Sequence, residues 1–300
     1  MKYFSSVLFI ILFFTGCLPK NEPVHTEQEK TKLKEKQSQN KDVIVKKVIK
    51  VVDCKVHPDN MIKFECYKKR ALKGDIKAQS WIAYFYNVGK IVPKDRKLAN
   101  EWFLKAANAG DVYSQKELGI NFLEEKDYKN AALWLEKSAN SGDVESQREV
   151  AYIYDKALLG KRDFDKAFKY FQKAALQSDM YAINELAYYY KHGWGVKKDF
   201  KKSQEWYLKA ANMDSDFAMA ELGYLYAKGF GVEQNYDESY KWFIKAANKG
   251  NKYAMSWVAY FYEAGLSVQK DIALAKMWYE KSNTVYSKRR LEELTNKGMK

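Results

Sequence analysis

Few residues of this 300-residue sequence have the types and the spacing that catalysis requires. Acylation of an active-site serine needs a Ser-x-x-Lys pair on a helix, with later Ser-Asp-Asn and Lys-Thr-Gly elements. The pair occurs at Ser38 and Lys41, in a polar segment, and the later elements are absent. A zinc site needs clustered ligands, but His25, His57 and His192 are far apart. We therefore predict no enzymatic activity, no metal site and no cofactor.

Another set of residues has types that suit binding. Acidic and aromatic residues recur in pairs three positions apart, so both members of a pair share one face of a helix. The pairs are Trp81 with Tyr84, Glu117 with Ile120, Glu149 with Tyr152, Glu185 with Tyr188, Glu221 with Tyr224, and Trp257 with Tyr260. Tyr113, Tyr181, Phe217 and Tyr253 extend the set by one turn. We call these residues the A-helix stripe.

The stripe has two readings that the sequence leaves open. Tyrosine supplies contact area at low entropy cost and carboxylates select basic partners, so the stripe could bind a peptide. Alternatively, the tyrosines pack between adjacent helices and the glutamates pair with nearby lysines.

The elements that must position the stripe repeat every 36 residues, and once after 32, between Ala78 and Lys281. An aliphatic residue, a small residue and an aromatic residue recur at i, i+1 and i+4, which places them on one face of a first helix, helix A. The aliphatic row is Ile82, Leu118, Val150, Leu186, Leu222 and Val258; the small row is Ala83, Gly119, Ala151, Ala187, Gly223 and Ala259; the aromatic row is Tyr86, Phe122, Tyr154, Tyr190, Tyr226 and Tyr262.

A second helix of each unit, helix B, carries its own rows at the same period. Its rings are Trp102, Trp134, Tyr170, Trp206, Trp242 and Trp278, flanked by small residues three before and four after each ring. Gly74, Gly110, Gly142 and Gly250 follow B helices, where a residue with positive φ ends the helix, and Asp75, Asp111 and Asp143 suit the next helix start. The sequence predicts an all-α, right-handed α/α superhelical solenoid of about six helix-turn-helix repeats.

The rows resemble the Sel-1-like repeat family, which is related to tetratricopeptide repeats. The resemblance rests on Gly193-Trp194-Gly195-Val196 with Asp199, on Gly229-Phe230-Gly231-Val232, and on the Trp-x-x-Lys-Ala-Ala pattern of the B helices. Unit two departs from it, because its loop at residues 123–128 is four residues shorter. The resemblance implies that the A helices line a concave groove, which would place the A-helix stripe where a peptide could lie. Some cysteine-rich relatives carry a β-lactamase annotation, which keeps a hydrolase as an alternative.

The amino terminus indicates export. Lys2 precedes a short apolar run from Val7 to Phe14, which is typical of a secretory signal rather than a membrane-spanning helix. The following Thr15-Gly16-Cys17 resembles a bacterial lipobox, although Phe14 stands where that motif prefers Leu. This resemblance implies that Cys17 becomes the lipidated first residue of a membrane-anchored protein. A cleaved signal with an incidental cysteine is the alternative.

These observations divide the chain into five parts. We predict a lipoprotein signal peptide (1–16), the lipidated cysteine with a disordered tether (17–50), a cap half-repeat (51–74), six repeats (75–283) and a C-terminal capping helix (284–300). The tether has no aromatic ring after residue 17 and is rich in Lys, Glu and Gln, so it cannot bury a core. Export also favours a disulfide between Cys54 and Cys66, with two unpaired thiols as the alternative.

The net charge of +14 is a feature that nucleic-acid-binding proteins share. A lysine row accounts for part of it: Lys105, Lys137, Lys173, Lys209, Lys245 and Lys281. This lysine belongs to the repeat pattern and suits a solvated outer face, and export separates the protein from cellular nucleic acid.

The sequence therefore predicts an adaptor without nucleic-acid binding. It would be held by lipid in the bacterial cell envelope, facing the periplasm, with Leu18 favouring the outer membrane over the inner one. Its partner would be a protein or a peptide; the oligomeric state stays open. An envelope glycan-binding protein is the alternative from another class.

Overall fold

The computed structural model describes Cys54 and residues 59–297. The predicted signal peptide, Cys17 and the tether lie outside the described residues. The described residues fall into two units, one up to Cys66 and one from Tyr67 onward. In the first unit, the structure joins Cys54 to Cys66 through their sulfur atoms, with the Cα atoms 5.7 Å apart.

The described residues form helices and turns, with no strand among them. There are fourteen helices: α1 (Asn60–Ala71), α2 (Ile76–Val88), α3 (Arg96–Asn108), α4 (Val112–Glu124), α5 (Tyr128–Asn140), α6 (Val144–Asp155), α7 (Phe164–Leu176), α8 (Met180–His192), α9 (Phe200–Asn212), α10 (Asp216–Lys228), α11 (Tyr236–Asn248), α12 (Lys252–Ala264), α13 (Ile272–Ser282) and α14 (Val285–Lys297). From α2 onward, each helix packs against the next one in the chain. The prediction of an all-α solenoid built from helix pairs is confirmed.

Even-numbered helices from α2 to α12 are the A helices of units one to six, and the odd-numbered helices that follow them are the B helices. The closing helix begins at Val285, within the predicted capping segment 284–300. Thr284 caps this start, because its hydroxyl accepts a hydrogen bond from the Ser287 backbone N–H at 3.2 Å. None of the described helices has the length and apolar composition that crossing a bilayer requires.

Aspartate side chains cap the helix starts, as predicted. The carboxylates of Asp75, Asp111 and Asp143 accept hydrogen bonds from backbone N–H groups three residues later, at 2.7 to 2.9 Å. The predicted turn glycines have positive φ, for example 100° at Gly142. Ser178 and Asp214 occupy the equivalent position after the B helices of units three and four, with φ of 66° and 74°. Those two residues adopt a conformation that favours glycine.

The core contains the predicted aliphatic and small rows of the A helices, together with a row of B-helix residues that the sequence pattern did not reveal. The residue after each B-helix ring is almost fully buried, and most of these residues are aromatic. The row is Phe103, Leu135, Phe171, Tyr207, Phe243 and Tyr279. The small residues of the A helices let this row approach: a Cβ on Gly223 would lie 2.8 Å from the Phe243 ring. The two helices of a unit therefore approach each other closely at the small row.

The preceding B-helix rings lie nearer the surface, and lysines cover them. Each lysine of the row from Lys105 to Lys281 sits three residues after a ring, with its Nζ 3.8 to 5.0 Å from the ring centroid. Most of these lysines are exposed. The predicted solvated face therefore holds cation–π contacts that shield large rings from water.

The glycine loops link neighbouring units. Trp194 stacks on Phe164 of the preceding unit with ring centroids 4.8 Å apart, and Phe230 stacks on Phe200 at 4.7 Å. Gly195 has φ of 60°, and a Cβ there would lie 2.2 Å from the Phe164 carbonyl oxygen. The backbone of one unit thus touches the start of the previous B helix, which fixes the step between them.

Candidate functional site

The A-helix stripe lies on the part of the helix surface that the core leaves uncovered. Trp81, Tyr152 and Tyr260 are exposed, with 37 to 39% of their surface accessible. The other members of the predicted pairs are half-buried: Tyr84, Glu117, Ile120, Glu149, Glu185, Tyr188, Glu221, Tyr224 and Trp257. Successive A helices therefore present one line of rings and carboxylates.

The core supports the rings one turn earlier. Tyr113, Tyr181, Phe217 and Tyr253 keep 40 to 45% of their surface exposed. Each packs edge-on or tilted against a buried B-helix ring, with centroids 6.1 to 6.3 Å apart. Half of each ring thus anchors it and the other half faces outward, so a ligand would meet preordered aromatic surface.

Cations on the same surface neutralise several glutamates. Lys191 Nζ lies 2.5 Å from Glu221 Oε2, and its charge also sits 4.5 Å from the centre of the Tyr224 ring. Arg148 contacts Glu149 at 3.2 Å, and Lys116 contacts Glu117 at 3.9 Å. These contacts match the reading in which the glutamates pair with nearby lysines. Lysines also lie over rings of the stripe, with Lys116 Nζ 5.7 Å from the centre of Tyr113 and Lys156 Nζ 5.7 Å from that of Tyr152. These two rings still keep 40 and 37% of their surface exposed.

Burial raises the pKa of two carboxylates of the stripe, those of Glu185 and Glu117. Desolvation raises the pKa of Glu185, and neighbouring Asp155 raises this pKa further, while Lys156 and a hydrogen bond from Tyr181 oppose the rise. Desolvation likewise raises the pKa of Glu117. The pKa of Tyr253 rises to about 12 for the same reason. The stripe thus combines partly desolvated carboxylates with phenols that stay protonated.

The stripe ends in a groove along α12 with a volume of about 490 Å³. Tyr253, Trp257 and Tyr260 line it from α12, Lys228 from the end of α10, and Tyr286 from the start of α14. We call it the α12 groove. Sequence reasoning missed it, although one signal was present: Trp257 stands where units two to five have glutamate.

No constellation for catalysis emerges among the described residues. Within residues 59–297 and Cys54, no three His, Cys, Asp or Glu side chains are grouped as metal ligands. A second Ser-x-x-Lys pair, Ser267 and Lys270, was overlooked in the sequence. It lies in the turn after α12 rather than on a helix, and the Ser267 hydroxyl donates to Asp237 at 2.6 Å.

The repeat model that matches this chain is the Sel1 repeat. It matches residues 76–111, 115–143, 144–179, 181–215, 216–251 and 252–283. The chain belongs to the Sel1 repeat family. Sel1 repeat proteins are typically scaffolds for protein–protein interaction and are generally non-catalytic.

Two solved Sel1-type structures share the fold at low sequence identity. A protective antigen of uropathogenic Escherichia coli strains, which displays an SLR fold, is 28% identical with a TM-score of 0.68; the match covers 79% of this chain and 52% of that one. The present chain therefore spans about half the length of that antigen. A Sel1 repeat protein from Oxalobacter formigenes is 26% identical with a TM-score of 0.58, over 80% of this chain and 71% of that one. No curated protein matches the sequence.

Proposed function

We propose that this Sel1 repeat protein is a membrane-anchored adaptor of the bacterial envelope, which holds a segment of a partner protein along the A-helix stripe. The observation that carries the proposal is the line of half-exposed rings, each anchored on a buried ring of the core. A surface ordered in advance loses little entropy on binding.

The charges of the stripe favour a peptide with mixed polarity. Glu149 and Glu221 already have cationic partners, so a basic side chain of the ligand would share these carboxylates with Arg148 and Lys191. Desolvation and neighbouring Asp155 raise the pKa of Glu185, while Lys156 and a hydrogen bond from Tyr181 oppose the rise. A lysine or arginine of the ligand would gain most at this carboxylate, because an ion pair strengthens as water is removed.

The anchoring part of the proposal rests on the amino-terminal sequence. An acylated Cys17 would hold the chain on a membrane, and the polar tether would let the repeats reach a partner. Export to the periplasmic side of the outer membrane is consistent with the lipobox-like Thr15-Gly16-Cys17 and with Leu18.

Site-specific photo-crosslinking of the full-length chain in cells tests the binding surface. A photoreactive amino acid replaces Tyr152 or Tyr260 of the stripe and, as controls, Leu104 or Leu133, which are exposed on B helices. We expect one discrete adduct from the stripe positions, identified by mass spectrometry, and none from the controls. Equal adducts from both faces, or none from the stripe, would contradict the proposal.

Charge reversal then tests selection by the carboxylates. The purified partner is titrated against the full-length chain and against a variant with Glu149, Glu185 and Glu221 changed to lysine. The matched control changes Glu101, Glu205 and Glu280, which are exposed on B helices, so the net charge changes equally. Binding should weaken about tenfold or more only in the stripe variant. A glycan ligand would instead tolerate the stripe reversal and require Trp81, Tyr152 and Tyr188.

A further inference from the structure

The α12 groove differs from the rest of the A-helix stripe in its charge. In units three and four a cation at the end of the A helix faces the stripe glutamate of the next unit. Lys156 lowers the pKa of Glu185, and Lys191 is ion-paired to Glu221. In unit five the A helix ends with Lys228, at the repeat position of Lys156, but the stripe residue it faces in unit six is Trp257.

Lys228 is therefore a cation without its carboxylate. Its Nζ lies 5.6 Å from the centre of the Trp257 ring and 6.0 Å from that of Tyr224. Among the residues that the structure describes, no carboxylate oxygen comes within ion-pair distance of it. Of the groove-lining residues within the described part of the chain, Lys228 alone is charged.

The rest of the lining is suited to an apolar side chain. Trp257 stacks on the buried Phe243 ring with centroids 5.1 Å apart, so its outer face is held in place. Tyr253 packs edge-on against Trp257 at 6.3 Å, and Tyr286 does the same on Tyr279 at 6.1 Å. The groove thus combines fixed aromatic walls with one uncompensated positive charge.

We propose that the α12 groove binds the C-terminal residue of a partner protein, with its α-carboxylate on Lys228 and its apolar side chain against Trp257. In a terminal residue the carboxylate and the side chain branch from one Cα. They can therefore meet groups as close as Lys228 Nζ and the Trp257 ring, which are 5.6 Å apart. This inference rests on the proposed function, because the groove is the end of the same stripe.

Binding of labelled peptides to the purified full-length protein tests the inference. The probe is a short Gly/Ser peptide that ends in phenylalanine with a free carboxylate, compared with the same peptide as its C-terminal amide. The free acid should bind about fivefold more tightly, because a charge-assisted hydrogen bond is lost in the amide. Added salt should reduce this difference, since Lys228 is exposed.

Variants assign the effect to the groove. Lys228→Met should abolish the difference between acid and amide, whereas Lys228→Arg should keep it. Trp257→Glu should weaken the free acid about tenfold, because the new carboxylate pairs with Lys228. This variant should fold, since Glu221 occupies the same repeat position, and a thermal melt checks it.

Three results would overturn the inference. They are equal binding of acid and amide, persistence of the difference in Lys228→Met, and equal binding of an amidated peptide that carries an internal glutamate. Crosslinks from Tyr152, without a Lys228-dependent preference for the free-acid peptide over the amide, would overturn this inference alone. Discrimination at Lys228 without crosslinks from the stripe would overturn the proposed function alone.

Discussion

At the scale of single residues, Glu185 shows how the stripe differs from an ordinary solvated surface. Its carboxylate is desolvated and lies near Asp155, so its pKa is raised in the folded protein. A carboxylate of this kind costs stability once it ionises. The same desolvation would strengthen its attraction for a cation that a ligand brings.

The raised pKa of Glu185 predicts a pH dependence with a definite sign. The folded protein holds this proton more tightly than the unfolded chain, whose glutamate has a pKa near 4.5. The proton on Glu185 therefore stabilises the folded state. This stabilisation is complete below pH 4.5 and is lost as the pH rises through the higher pKa of the folded protein. Glu185→Gln should therefore lose less stability than the wild type between pH 4.5 and neutrality.

Urea denaturation across this pH range measures the difference in unfolding free energy. Glu205→Gln, an exposed B-helix substitution, serves as the control. Parallel pH profiles for the wild type and Glu185→Gln would contradict the assignment of the raised pKa to this carboxylate.

Ser178 supplies a second prediction at this scale. It has φ of 66° in a turn where Gly142 and Gly250 serve in other units. A left-handed conformation costs an L-residue about 1–2 kcal/mol, which glycine avoids. Part of this gain is offset because glycine makes the unfolded chain more flexible. Ser178→Gly should therefore stabilise the fold by about 0.5–1 kcal/mol.

The reverse substitution, Gly142→Ser, is the matched control for Ser178→Gly. It should destabilise the fold by about 1 kcal/mol. Chemical denaturation measures both variants, and a loss of stability in Ser178→Gly would show that its hydroxyl has a role beyond the turn.

At the scale of elements, the loop after each A helix determines how one unit meets the previous one. Trp194 and Phe230 stack on the first residue of the preceding B helix, and a glycine follows each ring. The short turn of unit two lacks this contact, since Lys126, with φ of 62°, closes it directly. Rings and glycines of the loop therefore act together as a connector between units.

Gly195→Ala should break this connector. A Cβ would lie 2.2 Å from the Phe164 carbonyl oxygen, in addition to the strain of positive φ. We expect a loss of about 3 kcal/mol in unfolding free energy. Gly229→Ala is the control, because its φ is similar but its nearest contact is an ordinary 3.4 Å. It should lose about 1 kcal/mol, and similar losses in both variants would contradict the role of the close approach.

The bridge between Cys54 and Cys66 remains a prediction for the protein as cells make it. The structure places their Cα atoms 5.7 Å apart, with a sequence separation of 12 residues. A disulfide that closes a loop of this length stabilises the folded state by about 3 kcal/mol. Mass spectrometry of the protein alkylated without reduction should find Cys54 and Cys66 unalkylated and joined to each other. Reduction should lower the melting temperature. Alkylation of both thiols without reduction would contradict the bridge.

At the scale of the whole molecule, the proposal joins a lipid anchor, a polar tether and a repeat scaffold. Such an arrangement confines binding to partners near a membrane and raises their effective concentration, without new contacts between protein and partner. The anchor is the component on which location depends, and a single residue tests it.

Cys17→Ser should move the protein from the membrane fraction to the soluble fraction. The described helices contain no alternative membrane span, so the acyl chains would be the attachment that is lost. Fractionation and the mass of the amino-terminal peptide measure the effect, with Cys54→Ser as the control. Membrane association that survives in Cys17→Ser would contradict the lipid anchor.

The sequence by itself determined the repeat, the helix pairs and their caps. These features depend on local spacing: a small residue beside an aliphatic one, an aspartate before a helix and a glycine after it. The first recurs in all six units and the others in several of them, so a chance match in one unit is outweighed by the others. The A-helix stripe could be located from the same register.

Only the tertiary structure decided what surrounds each side chain. The buried row that includes Phe103 and Phe243 directly follows the more obvious tryptophans, and both are aromatic, so composition could not tell which ring faces the core. The pairing of Glu221 with Lys191 and the open charge of Lys228 depend on contacts between units about 30 residues apart. Such contacts arise from the step between helix pairs, which local spacing does not encode.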